Sequence, residues 1–114
     1  MQRQEFTEKI IVSTMSKILE INKTKGEEYS GANDVCKNFK RQAEMLDVDP
    51  KLVWAVYANK HWDAIMSHVK NGKVFSEPIE GRIDDVILYL LLYKALIKDQ
   101  TTGFFSSDGE TNGE

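Results

Sequence analysis

Residues 80–93 read EGRIDDVILYLLLY, a stretch in which charged side chains lead directly into an uninterrupted apolar run. Apolar residues occur all round this predicted helix instead of along one stripe, which is typical of a helix enclosed by its neighbours. Charged side chains are seldom fully buried unless they are paired or bind a ligand. We therefore expect at least one of Arg82, Asp84 and Asp85 to face an interior partner or a ligand. Of the two aspartates, we expect Asp85 to point inward and Asp84 outward.

The composition is that of one ordinary globular domain, with 114 residues, 41% of them hydrophobic and 29% charged. A formal net charge of -3 argues against a broad surface for DNA or RNA, which needs a basic face. The single cysteine, Cys36, excludes an intrachain disulfide, and we expect it to be a packing residue. No signal segment is visible, and residues 86–93 are too few for a membrane span of about 20 residues. These features predict a cytoplasmic protein.

Periodicity and capping residues predict an all-α fold, a small antiparallel bundle of about four helices. The expected helices cover residues 4–22, 34–46, 50–70 and 76–98. We expect residues 1–98 to form a single domain and residues 99–114 to form a disordered acidic tail rich in Gly, Ser and Thr. A fourth helix that is apolar on all sides needs more cover than three short helices provide. The sequence therefore also predicts a homo-oligomer, a dimer or a tetramer.

Local signals mark the ends of the middle helices. Asn33 or Asp34 is expected to cap the second helix, whose apolar side includes Phe39, Ala43 and Leu46. The pair Asp49-Pro50 is an N-cap followed by proline at the first helical position, and it predicts the start of the third helix. The pair Asn71-Gly72 predicts its end, because glycine and asparagine are the usual residues past a helix terminus.

A lysine interrupts an apolar stripe of the third helix. Lys60 lies in an apolar stripe with Tyr57, so its ammonium either reaches water or meets a fixed negative charge. A salt bridge to Asp84 or Asp85 and a contact with a phosphate are both compatible with this position. His61 is expected to be hydrogen-bonded and partly buried rather than a catalytic base. It cannot share a metal ion with the only other histidine, since the two lie more than about 10 Å apart along the helix, and neither a metal nor a cofactor is expected.

Aromatic and basic residues recur on every predicted element. The loop at residues 23–31 contributes Lys25 and Tyr29, and it resembles either a solvated turn or a segment that wraps a phosphate and stacks a base. The other elements add further aromatic rings and cations. Together the set comprises Tyr29, Phe39, Tyr57, Trp62 and Tyr89 with Lys25, Lys40, Lys60 and Arg82.

Four ordered motifs carry a resemblance to a known family. They are KGEEY at 25–29, NFK at 38–40, KHWDAI at 60–65 and EPIEGRIDD at 77–85. They resemble a family of small phage-encoded all-helical proteins described as nucleotide-modification-associated or MazG-like. The resemblance covers roughly residues 20–98. It implies a phage protein that handles nucleotides in the cytoplasm of an infected bacterium.

The resemblance leaves an enzyme and a binding protein as alternatives. MazG-like pyrophosphatases hold Mg²⁺ with an ExxE pair on one helix and an ExxD pair on the next. Here Glu5 and Glu8 have the first spacing, but the acidic residues near position 80 lack the second. In the enzyme, an NTP pyrophosphatase or an accessory protein for nucleotide modification, the Mg²⁺ ligands would come from a larger acidic set. That set is Glu27, Glu28, Asp63, Glu80, Asp84 and Asp85.

The four carboxylates of the ExxE and ExxD pairs are not all present. The hypothesis we favour is therefore that the protein binds a nucleotide without hydrolysing it. The chain resembles viral sponges that sequester the cyclic oligonucleotide signals of CBASS immunity, with pockets at or near subunit interfaces. Such a site needs aromatic rings that stack on bases, cations that bind phosphates and groups that recognise base edges. It needs no nucleophile, and we expect no contact with a membrane. The expected ligand-binding residues are Lys25, Tyr29, Lys40, Tyr57, Lys60, His61, Trp62, Arg82 and Asp85. A third alternative is an adaptor that docks a host protein and has no nucleotide affinity.

Overall fold

The computed structural model describes residues 1–28, 34–73 and 78–102, the side chains of residues 25–28 and 101–102 excepted. Every regular element within these ranges is helical, which confirms the all-α prediction. We number four helices. Helix α1 covers residues 3–28 in three consecutive segments, Arg3–Glu5, the π-helical Phe6–Val12 and Ser13–Glu28. The others are α2 (Lys37–Leu46), α3 (Pro50–Asn71) and α4 (Ile79–Thr102).

The predicted boundaries of α3 are confirmed because they depend on short-range chemistry. The Asp49 carboxylate accepts a hydrogen bond from the backbone N–H of Lys51 at 2.8 Å, and Pro50 occupies the first turn. At the other end, Gly72 has a φ of 73°, the left-handed conformation in which glycine closes a helix.

Three other predicted boundaries were wrong. Helix α1 continues to Glu28, beyond the predicted end at residue 22, because lysine and glutamate are good helix formers. Helix α2 begins at Lys37 instead of residue 34, since the Asp34 side chain accepts from the Cys36 N–H at 2.9 Å and forms a turn. Helix α4 continues to Thr102, into the predicted tail. The remainder of that tail, the predicted cap Asn33 and the predicted start of the fourth helix at residue 76 lie outside the described residues.

The chain divides into two compact units, residues 1–33 and 34–114. Within the first unit, the described part is α1 alone. Its side chain Ile18 is buried, whereas Phe6, Ile11 and Leu19 are exposed.

The second unit contains α2, α3 and α4 around a small core. Buried Cys36, Phe39, Ala43, Val53 and Leu96 form this core, and half-buried aromatic rings pack against it. Burial of Cys36 agrees with its predicted packing role. Leu46, predicted on the apolar side of α2, is exposed instead because the helix ends there in a left-handed turn at Asp47.

Helices α3 and α4 of the second unit run antiparallel. The Lys51 ammonium near the start of α3 donates to the Gln100 side chain near the end of α4, at 2.8 Å. Conversely, His61 contacts Arg82 near the start of α4, at 3.0 Å. In the described part of the chain, no helix is long and apolar enough to cross a bilayer.

Candidate functional site

The face of helix α3 that packs against α4 changes from apolar to polar along the helix. Val53, Tyr57 and His61 are spaced four residues apart, so they lie along one face of the helix. Val53 is buried, and the other two are half-buried. This row brings an imidazole ring to the charged first turns of α4.

Arg82 provides the buried cation that the sequence predicts at this end of α4. Only 8% of the residue is exposed, and its Nη1 lies 3.0 Å from Nδ1 of His61. A guanidinium can only donate, so this contact is a hydrogen bond when Nδ1 of His61 carries no proton. The predicted interior partner of the charged stretch is thus His61, and the prediction that His61 is hydrogen-bonded and partly buried is confirmed.

The two aspartates differ from the prediction in one respect. Asp85 faces inward as expected, with Oδ2 3.5 Å from Nδ1 of His61. Asp84 was predicted to face outward, but only 9% of it is exposed. Successive helical residues diverge by about 100°, so both can be covered only on a helix enclosed from more than one side.

Tyr89 is the ring at which this polar cluster meets the aromatic core. Its centroid lies 5.0 Å from that of His61 and 6.2 Å from that of Phe39. Burial, together with the nearby Asp85 carboxylate, raises the pKa of the Tyr89 hydroxyl. The Tyr57 hydroxyl on the same side accepts a hydrogen bond from the Gln42 amide at 2.8 Å. The Tyr89 phenol therefore remains neutral at physiological pH. Both tyrosines can act as hydrogen-bonding and stacking groups.

An apolar groove of about 210 Å³ lies between α3 and α4, and Tyr89 is part of its lining. Trp54 forms its floor and is fixed by a 2.8 Å hydrogen bond from its indole N–H to the Tyr89 carbonyl. Trp62 forms an edge of the groove and is 51% exposed. Its lining comprises Trp54, Ala55, Ala58, Asn59, Trp62, Val86, Tyr89 and Leu90. Asn59 is the one amide side chain of this lining, and an amide there can both donate and accept at the edge of a ring.

Lys40 lies at the opposite end of the second unit. Its ammonium contacts the carboxylates of Asp34 at 2.7 Å and Asp99 at 2.9 Å. The hydrogen bonds that Lys40 donates to these carboxylates, first Asp34 and then Asp99, raise the pKa of Lys40. The hydrogen bond from Lys40 in turn lowers the pKa of Asp34. Asp99 and Arg82 are about 25 Å apart along α4 at 1.5 Å per residue, so Lys40 does not share a site with Arg82.

One group of potential metal ligands occurs among the described residues. The carboxylates of Asp34 and Asp99 and the thiol of Cys36 lie within 4.8 Å of one another. The Lys40 ammonium already occupies the position between the carboxylates. Burial raises the pKa of the Cys36 thiol, which disfavours the thiolate that a metal requires. We therefore interpret this group as a lysine held by two carboxylates.

The other predicted ligand residues are scattered. Lys60 is exposed, and within the described ranges it forms no ion pair with Asp84 or Asp85, so that proposed salt bridge was wrong. Of the alternative Mg²⁺ ligands, Asp63 and Glu80 are exposed. Tyr29 and the side chains of Lys25, Glu27 and Glu28 lie outside the described residues. The residues that the structure brings together are Tyr57, His61, Arg82 and Asp85, with Trp62 at the adjoining groove.

Three residues of this site, Trp54, Asn59 and Tyr89, were not among the predicted ligand-binding residues, although Tyr89 was named in the wider aromatic set. A signal for one of them was present, because Trp54 is spaced four residues from Ala58 and eight from Trp62 and forms a continuous row with them on α3. Tyr89 could not be assigned because its role depends on which α3 residue lies opposite.

Comparison with family models, curated proteins and solved structures returned no match for this chain.

Proposed function

We propose that this protein binds a nucleotide without hydrolysing it, and that its ligand is a cyclic oligonucleotide immune signal of an infected bacterium. The observation that carries the proposal is the position of Tyr89, between the Arg82–His61 pair and the apolar groove. A nucleotide needs both kinds of surface next to each other, an aromatic face for its base and cationic or N–H donors for its phosphate.

The groove has the dimensions of a subsite for one base. Small-molecule pockets usually measure about 300–1,000 Å³, whereas this groove measures about 210 Å³. It therefore fits a single planar ring system, with the remainder of the ligand outside it. Trp62 supplies the exposed aromatic face, and Asn59 supplies donors and acceptors for the edge of the base.

The polar cluster supplies the phosphate contacts. Arg82 is held in place by His61, so little conformational freedom is lost when it binds an anion. The His61 ring beside Arg82 offers a second hydrogen-bonding group. Asp85 balances the positive charge while no ligand is bound and disfavours weakly held anions. We place the ligand in the cytoplasm of the host cell and expect no contact with a nucleic-acid polymer or a membrane.

The binding experiment separates sequestration from catalysis. Purified protein is incubated with cyclic di- and trinucleotides and with linear NTPs, with Mg²⁺ or with EDTA, then denatured and the released nucleotides are separated. We expect intact cyclic nucleotide and no effect of EDTA. Pyrophosphate and monophosphate that appear only with Mg²⁺ would replace our proposal with the MazG-like pyrophosphatase. Absence of binding to every nucleotide would favour the adaptor.

Substitution of Trp62 by alanine tests the groove directly. Stacking on an aromatic side chain contributes about 1–3 kcal/mol per base, so we expect affinity to fall by about 5- to 150-fold. Trp62 is 51% exposed, and the melting temperature should therefore change little. Val69→Ala, at an exposed apolar position farther along α3, is the matched control and should leave affinity unchanged. Equal affinities of the two variants would exclude the groove as the base site.

A further inference from the structure

The outer face of α4 carries an exposed apolar row. Ile83, Leu90 and Ile97 are 42%, 57% and 40% exposed, and Leu91 beside them is also exposed. The three lie seven residues apart, which places them along one line of the helix, as in the seam of a coiled coil. Contiguous apolar surface of this kind marks an interaction site in a protein.

The spacing of the row is symmetric. Ile83 and Ile97 are equidistant from Leu90, so a two-fold axis at Leu90 places Ile83 of one copy opposite the partner's Ile97 and the two leucines opposite each other. An interface between identical copies requires this self-complementarity, in which residue i contacts j and j contacts i. An unrelated partner would impose no such symmetry on the row.

The charges along α4 favour an antiparallel pair. Exposed Glu80 lies at the N-terminal end of the helix, and exposed Lys94 and Lys98 lie towards its C-terminal end. In an antiparallel pair, the acidic end of each copy approaches the basic end of the other. The helix dipoles are then also opposed, which is favourable. A parallel pair would bring like charges together at both ends.

We infer that two copies of this chain pair antiparallel along the row Ile83, Leu90 and Ile97 of α4. Leu90 belongs both to this row and to the wall of the groove. The partner's helix would therefore close the side of the groove that is open to solvent, and each base subsite would be completed by the second copy. This last consequence rests on the proposed function, whereas the pairing itself does not.

Cysteine cross-linking tests the direction of pairing. Native Cys36 has no exposed surface and does not compete. Under mild oxidation, a mixture of Ile83→Cys and Ile97→Cys proteins should form a disulfide-linked dimer between the two variants. Each variant alone should not cross-link, while Leu90→Cys should cross-link to itself. Cross-linking of Ile83→Cys or Ile97→Cys alone would show a parallel pair and overturn the inference.

A charge substitution tests whether the row holds the dimer together. Leu90→Glu should weaken dimerisation at least about tenfold in sedimentation equilibrium, because two carboxylates would face each other at the axis. Val69→Glu, an equally drastic change at an exposed position of α3, should leave the dimer intact. A monomeric wild-type protein, or a dimer that persists in Leu90→Glu, would overturn the inference. Nucleotide affinity is measured separately, so a dimer without affinity would reject the proposed function and keep the interface.

Discussion

Each end of the second unit contains a cation, but one cation is exposed and the other is buried. At one end, Lys40 lies between Asp34 and Asp99, and all three side chains are substantially exposed. At the other end, Arg82 is buried against His61, whose ring packs on Tyr89 beside an apolar groove. The exposed cation is already saturated by two carboxylates, which leaves it little attraction for an external anion. The buried cation is held inside the protein, where its Nη1 lies 3.0 Å from Nδ1 of His61. The comparison shows that the environment of a cation, more than its identity, decides which groups it binds.

The largest expected effect is on the buried end. Arg82→Ala should lower the free energy of unfolding by about 1.5–3 kcal/mol, because it removes a charged hydrogen bond and leaves His61 without its donor. Urea denaturation followed by tryptophan fluorescence measures the change. Lys60→Ala, at an exposed position of α3, is the control and should stay within about 0.5 kcal/mol of wild type. Equal stability of the two variants would mean that Arg82 and His61 are not coupled.

A smaller effect is expected at the exposed end. Lys40→Ala should cost at most about 1 kcal/mol, since an ion pair in contact with solvent contributes little. Most of that cost should disappear in about 1 M salt, where the screening length is about 3 Å. A loss as large as that of Arg82→Ala would remove the contrast between the two ends.

The smallest effect is the dependence of this ion pair on pH. The pKa of Asp34 is lowered in the folded protein, first by its hydrogen bond with Lys40. A lowered pKa stabilises the fold above the unfolded value of about 3.9, and this contribution is lost as the pH falls through the folded value. The stability difference between wild type and Lys40→Ala should therefore be constant from about pH 5 to 8 and should shrink below about pH 4. A difference that grows with acid would contradict the assigned pairing.

Helix identity and the ends of α3 could be predicted from sequence because they depend on residues a few positions apart. Asp49, Pro50 and Gly72 act within one turn of the chain. The start of α2 could not be predicted, since Asp34 serves equally well as a cap or as the first residue of a turn. At residue 22, an asparagine followed by lysines was interpreted as a loop, although lysine and glutamate continue a helix as readily.

The candidate site was predictable only in part. Burial of a charge in the Arg82–Asp85 segment followed from its position at the start of an apolar helix. The partner of that charge depends on the register between α3 and α4. The residue pattern of a single helix does not determine this register. For this reason the sequence left Lys60 with two alternatives, the aspartates or a phosphate, whereas the neighbouring His61 contacts Asp85 and Arg82. The distance between Lys40 and Arg82 could not be predicted either, because the sequence shows only that both residues are cations.

The antiparallel contact between α3 and α4 also has a kinetic consequence. These helices are consecutive, and the indole of Trp54 meets the backbone of Tyr89 across a separation of only a few tens of residues. Closing so short a chain costs little entropy, and helical proteins with local contacts fold in microseconds to milliseconds. The α3–α4 pair is therefore expected to form early in folding. A newly made chain would then acquire the groove beside Trp54 as soon as its fourth helix is available.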